Sequence, residues 1–379
     1  MNRSRIKNRI NLLDTKLFLF LLYLILAPFY VFPSGLPQFS DYLMTILVFL
    51  VLFDKRGTIT KQYTPIFLLL LLFVYYITMV NVIWVGITED VEFLKTSIFY
   101  IYNCLVFIIV LKMYAIYKEK LLAIILYGIV ISASIELFVL LFKYQMVYRS
   151  VGSFNNPNQL GYFAVISVSI FSVITKNLKY NFLFEIVIVL IFLFIVILSL
   201  SKAALVAVLF NVLFVFLKDI RYAFLLFIIF TIVFLSTDLN HPIAKRLDTR
   251  ISTFGIQQDD NLVGRAYDRI WKNPEYLIFG AGEGLMKRFT KNGINMEIHS
   301  SLGSILFSYG IVGLSLFLFF IFLIYKHSTI KYFVFLFPSF LYGMTHHGLR
   351  FTIFWILLAI LVVKGNKYAN QKGRYIKVR

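Results

Sequence analysis

Cysteine is nearly missing from this chain of 379 residues; the single one, Cys104, lies inside an apolar run. One thiol excludes an intrachain disulfide and any multi-cysteine metal site. Charge is also scarce, at 15% of residues against about 25% in an ordinary soluble protein. Acids are the rarer sign, 18 Asp and Glu against 37 Lys and Arg, for a net charge of +19. Such an excess could serve nucleic acid. In a membrane chain, however, Lys and Arg gather in cytoplasmic loops, and no nucleic-acid partner is needed. A basic N-terminus precedes the first apolar run, as in a signal peptide. No small-residue cleavage site follows it and further apolar runs do, so the reading is a retained first helix.

What the chain has is apolar length. Hydrophobic residues make up 60%, with 42 Phe and 24 Tyr. Runs of roughly 17–25 residues recur from end to end, the length that crosses a bilayer as a helix. The expected fold is all-α and polytopic, with about twelve transmembrane helices. They fall at about 17–33, 37–53, 64–84, 92–111, 121–142, 157–175, 181–198, 201–217, 221–237, 300–325, 331–346 and 350–364. Three regions follow: transmembrane helices over 1–237, an extracytoplasmic segment over 238–298, and further helices with a basic tail over 299–379.

Basic residues set the orientation. With the N-terminus inside, 23 of the 37 Lys and Arg lie on the inner side, at least two in every inner segment. The acidic cluster Glu89, Asp90 and Glu92 falls outside. Segment 238–298 balances nine basic residues with eight acidic ones. It reads as a small helical cap with helix-like stretches near 243–252 and 262–273. The second places Leu262, Ala266, Ile270 and Trp271 on one face, and Arg265 and Arg269 one turn apart. Pro274 limits it, and "FGAGEG" at 279–284 reads as a flexible glycine turn.

Four spans begin at the outer face, where helix N-termini carry free N–H groups and the positive dipole end. The first follows "GSFNNPNQLGY", with Asn156 as a cap and Pro157 at the first helical position. The others open at Ser201-Lys202, at His299-Ser300-Ser301 and near Arg350. This arrangement suits an anion such as a pyrophosphate at headgroup level. Each residue also has a plainer role. Lys202 could snorkel, Arg350 could sit in a solvated loop, and His299 could be an interfacial or capping residue. Glu136 is an ionisable group inside a span, costly and functional or paired. Lys143 and Arg149 are partners within reach, and lining the site is the other option.

The motifs together resemble the O-antigen polymerase and O-antigen ligase superfamily, integral membrane glycosyltransferases acting on lipid-linked glycans. "VGSFNNPNQLGYFA" at 151–164 looks like the family's G-x-F-x-N-P-N-x-x-A stretch. "LSLSKAAL" resembles its S-x-S-R-A element, with Lys202 in place of Arg. "GRAYDRIWKNPEYLIFGAGEG" resembles its outer-loop motif, and Arg269 and Gly280 keep the R-x10-G spacing of polymerases. His299-Ser300, nine residues, Gly310, two residues and Gly313 match H-[NSQ]-x9-G-x-x-G.

The resemblance implies transfer of a glycan from polyprenyl pyrophosphate to a sugar hydroxyl, with His299 as general base and Arg265 beside it. Lys202, Arg269, Arg350, Asn156 and Asn158 are then the expected substrate and pyrophosphate contacts. Arginine and lysine can stabilise the leaving group without a metal, and no cofactor is expected. Gly303, Gly310 and Gly313 read separately as small residues that let their span pack closely. A polymerase is favoured over a ligase acting on lipid A-core, on the R-x10-G spacing and the compact outer loop. A flippase should show several deep charges and internal repeats, whereas Glu136 is the one deep acid and no repeat is present. The expected location is the bacterial cytoplasmic membrane with both termini inside. The expected partners are membrane lipids, the lipid-linked oligosaccharide, and a chain-length regulator and flippase of the same pathway.

The orientation has a direct test. Reporter fusions at Arg379 should be active only in a cytoplasmic format, and fusions near Asn261 only in an extracytoplasmic one. An active extracytoplasmic reporter at Arg379 would overturn the assignment.

Overall fold

The computed structural model describes residues 3–142, 149–176, 182–216, 249, 252, 262–289 and 297–365. Among them the chain is helical, with no strand. Five helices have the length and apolarity to cross a membrane: Lys61–Thr88, Glu92–Tyr117, Glu119–Phe142, Pro157–Thr175 and Ser301–His327. Shorter apolar helices fall on the other expected spans, except 221–237, which lies outside the described residues, as does most of the stretch at 243–252. The first helix ends at Leu26 and not at residue 33. Pro28 accounts for this, since a proline disfavours helix at the residue before it.

The chain forms two compact units. One comprises Met1–Ile59 and Ile109–Arg246, the other Thr60–Ile108 and Leu247–Arg379. The first unit contains helices α1 (Arg3–Leu26), α2 (Phe39–Leu52), α5 (Glu119–Phe142), α6 (Pro157–Thr175), α7 (Phe182–Ser199) and α8 (Lys202–Phe216). Helix α6 is its core, buried at every position from Leu160 to Thr175. An apolar surface all round suits a helix enclosed by neighbours. Two of its polar contacts reach α8: Ser169 Oγ donates to Asn211 Oδ1 at 3.0 Å, and Asn211 Nδ2 donates to Val165 O at 3.1 Å. Between α1 and α2, the Gln38 side chain accepts from the N–H groups of Val31 and Phe32 and donates to Phe32 O and Leu36 O. One amide thereby satisfies four backbone groups of a turn.

The second unit contains α3 (Thr64–Thr88), the short α9 (Asp268–Lys272), α10 (Ser301–His327), α11 (Ile330–Phe333), α12 (Phe337–Gly343) and α13 (Thr352–Gly365). Helix α4 (Glu92–Tyr117) begins in this unit. Helix α13 is buried from Ile353 to Val363, and its Trp355 Nε1 donates to Leu349 O at 2.7 Å.

Helix α10 is interrupted. Gly310 has φ 66° and ψ −173°, a conformation open in practice to glycine alone. The break exposes backbone groups, and the glycine-rich loop takes them. Ala281 N donates to Phe307 O at 2.9 Å, Gly282 N to Ser308 O at 2.8 Å, and Ile311 N to Leu277 O at 2.7 Å. Trp84 Nε1 and Tyr76 Oη hold the carbonyls of Gly280 and Phe279. The FGAGEG stretch is therefore docked, which corrects its reading as a flexible turn. Gly310 likewise serves this docking rather than close packing of one helix on another. A Cβ there would lie 2.1 Å from Ile278 O, and one at Gly280 would lie 2.2 Å from Ser308 O.

Gly310→Ala should lower stability by at least about 3 kcal/mol, combining backbone strain with a clash against main chain. Gly35→Ala, also at positive φ but with open space around it, should lose only about 1–2 kcal/mol. Unfolding midpoints of the purified variants in detergent give the comparison; equal losses would contradict the docking account.

Candidate functional site

The site in the second unit is built on three short segments: 262–272, 297–301 and 344–350. The first was expected to be one amphipathic helix. Instead 262–267 are turns, and Ala266 sits buried at φ 60° before α9 begins at Asp268. Left-handed backbone cannot continue a right-handed helix. Arg265 and Arg269 are therefore not successive turns of one helix face, and Leu262 and Trp271 are exposed. The turn is held at both ends. Ala266 N and Tyr267 N donate to Val263 O and Leu262 O, while the Tyr267 hydroxyl donates to Met344 O.

Arg265 adds two further ties. Its carbonyl accepts from His299 N at 3.1 Å, and its Nη1 donates to Thr345 O at 2.6 Å. His299 is half-buried, with its ring centroid 6.4 Å from that of His346. His346 stacks on Tyr342 at 4.8 Å, and its Nδ1 lies 3.1 Å from Thr345 Oγ1. The start of α10 is capped by Ser300, whose Oγ accepts from Gly303 N at 3.1 Å. Ser301 Oγ bridges Gly348 N and His346 O. His299 thus stands just outside a helix end whose cap another residue supplies.

Arg269 is only 3% exposed, and among the described residues neither Nη1 nor Nη2 has a hydrogen-bond partner. Burial lowers the pKa of this guanidinium, partly offset by Asp268 and Glu297. A buried cation with two open donors is costly unless something pairs with it.

Arg350 is not in a solvated loop. Its Nη2 and Nε donate to Glu283 Oε1 at 2.5 and 3.1 Å, and its Nη1 donates to Glu297 Oε1 at 2.9 Å. Glu283 is 1% exposed. Its other oxygen accepts from the Tyr309 hydroxyl at 3.0 Å, and its backbone N–H donates to Asn81 Oδ1 at 3.0 Å. His347 Nε2 lies 3.1 Å from Glu283 Oε1, within ion-pair distance but out of line for a hydrogen bond. Burial works to raise the Glu283 carboxyl, but Arg350 and His347 outweigh it and hold it well below the usual carboxylate range. Burial works against charge on Arg350 too, and Glu283 and Glu297 reverse the balance to raise its pKa.

Arg265, Arg269, His299 and Arg350 therefore share one unit, linked through residues 297–301 and 344–350. The other sequence-predicted residues belong to the first unit. Asn156 caps α6, its Oδ1 accepting from Asn158 N at 2.7 Å, with Pro157 at the first helical position as expected. Asn158 Oδ1 accepts from Arg149 Nη2 at 2.6 Å, and Lys202 opens α8. Glu136 Oε2 accepts from Ser153 N at 3.1 Å; Lys143 lies outside the described residues.

Sequence reasoning missed Glu283, Glu297, His347, Tyr309 and Asn81. Two signals were present. Glu283 is an acid inside a glycine-rich run, and Asn81 is a polar amide inside an apolar span. Compared with known families and curated proteins, the chain matches no family model and no curated sequence.

Glu283→Gln should destabilise the protein by about 3 kcal/mol at neutral pH, because Arg350 loses its buried counter-charge. The carboxyl's folded pKa lies below its unfolded value of about 4.3. Its contribution is complete above that pH and drains away as pH falls toward the folded pKa. The gap in unfolding midpoint between wild type and Glu283→Gln should hold down to about pH 4 and narrow only in stronger acid. A gap that closes near neutrality would contradict this.

Proposed function

We propose that the chain is a metal-independent glycosyltransferase that polymerises lipid-linked polysaccharide repeat units at the outer face of the bacterial cytoplasmic membrane. The observation that carries this reading is the buried guanidinium of Arg269, whose Nη1 and Nη2 have no hydrogen-bond partner among the described residues, in one unit with Arg265, Arg350 and the half-buried imidazole of His299. Cationic donors at a protected site fit a pyrophosphate, and an imidazole in the same unit fits a hydroxyl acceptor.

In the proposed reaction, His299 takes the proton from an acceptor sugar hydroxyl as its oxygen bonds to the anomeric carbon of the donor. The bond from that carbon to the pyrophosphate oxygen breaks, and the leaving diphosphate carries the electron pair to the arginines. Arginine suits this task because it presents paired donors at a fixed charge. Arg265 positions the segment through Thr345 as well as carrying charge. In the first unit, Lys202, Asn156 and Asn158 are the proposed contacts for lipid-linked substrate. Both termini lie in the cytoplasm in this reading, and the partners are the lipid-linked oligosaccharide, its flippase and a chain-length regulator.

Glycan chain length in cells, at matched protein level, tests the assignment. A positioned base is worth roughly 10²–10⁴ in rate, enough to collapse long chains to single repeats in His299→Ala. Asn is a good helix cap, but Ser300 already caps α10, so His299→Asn should fail as well. Full-length polymer from His299→Asn would remove the base role. Arg265→Lys should be impaired because charge without the fork does not replace arginine; wild-type chain length from Arg265→Ala would remove Arg265 from the site. Transfer to a lipid A-core acceptor without chain growth would reassign the protein as a ligase.

A further inference from the structure

Arg350 is held asymmetrically. Its Nε and Nη2 are fixed on Glu283, which Tyr309 and Asn81 lock from the other side. Its remaining edge, Nη1, meets Glu297, whose side chain is 42% exposed. Among the described residues that contact is the single hydrogen bond of the Glu297 carboxylate. Glu297 also lies beside the segment bearing the other arginines. His299 N is bonded to Arg265 O, and Ile298 packs in one apolar cluster with Ala266 and Ile270. Its charge reaches Arg269, where it favours the cationic form. Yet among the described residues the Nη1 and Nη2 donors of Arg269 have no partner.

We infer that Glu297 is the resident occupant of the anion site, and that a diphosphate binds by displacing its carboxylate from Arg350 and bridging to Arg269. The inference rests on the anion-site reading above and adds an internal competitor to it. One carboxylate carries one charge and two oxygens close together, and here it satisfies one arginine. A diphosphate carries more charge and oxygens spread over two phosphorus centres, so it can serve both guanidinium groups. A partly exposed pair holds weakly, so Glu297 can leave while buried Glu283 stays. Apparent affinity is reduced by the fraction of molecules in which the site is occupied from within. Glu297 therefore sets a threshold: ligands with one negative charge do not displace it, and those with a diphosphate do.

The test uses the full-length protein in nanodiscs of neutral lipid, titrated calorimetrically with inorganic pyrophosphate. A second arm places a polyprenyl diphosphate in the nanodisc, which separates a lipid-borne ligand from a free one. Glu297→Gln should bind about five- to ten-fold tighter than wild type in at least one arm, and the gain should vanish in Glu297→Gln/Arg269→Ala. Glu297→Ala should show the same gain, and the melting temperature without ligand identifies any variant that has lost its fold. Unchanged or weaker binding by both Glu297 variants would overturn the inference. If Arg269→Ala still weakens binding in that case, the anion site stands without its internal occupant. A gain that survives the double variant would reflect general charge and would overturn the inference too. Absence of diphosphate binding in wild type and both folded Glu297 variants would overturn the anion site with it. Polymer length in cells reports on the glycosyltransferase reading independently.

Discussion

A helix in apolar surroundings must satisfy its own backbone, because nothing else there offers hydrogen bonds. At Gly310 helix α10 fails to do so, and the loop 277–283 supplies the missing partners through Ala281, Gly282 and Leu277. The rest of the second unit's site depends on this exchange. Docking Gly282 places Glu283 next in the chain against Asn81 and Tyr309, away from water. A carboxylate buried there needs a counter-charge, and Arg350 provides it. Arg350 in turn fixes one edge toward Glu297, which borders the segment of Arg265 and His299. A backbone break thus becomes an ordered group of charges.

The same exchange explains two separate spacings along the chain. Gly310 opens the helix, and Gly280 lets the loop approach within reach of Ser308 and Tyr309. Arg269 lies eleven residues before Gly280, and the intervening short helix and turn carry it from the docked loop to the site. The histidine–glycine spacing similarly joins the start of α10 to its break. Read this way, the motifs describe distances between a docking point and a charge. Glu283 and Arg350 are also the best-satisfied charges in the group, whereas Arg269 is the least satisfied. An ordered shell around a cation whose Nη1 and Nη2 are unpaired among the described residues is the arrangement expected where a ligand completes the set.

Much was legible in the sequence. Apolar run length placed the described helices, because a span must be long and uncharged to be stable in lipid. Asn156 and Pro157 were readable as a helix start, since capping depends on residues within one turn. His299 and Arg350 were readable as charged or polar groups at span borders. These are local properties, decided by residue type and by neighbours a few positions away.

What only the tertiary structure decided is the pairing between distant segments. Nothing in the order of residues says that Glu283 meets Arg350 or that Tyr309 and Asn81 close over it. Those contacts join residues 26 to 228 positions apart. Nor does spacing reveal that Ala266 turns left-handed and separates Arg265 from Arg269, because a four-residue interval suits a helix equally well. Burial made the difference in each case. The cost of leaving a charge or a carbonyl unpaired away from water selects one partner among many, and that selection exists only once the chain has folded.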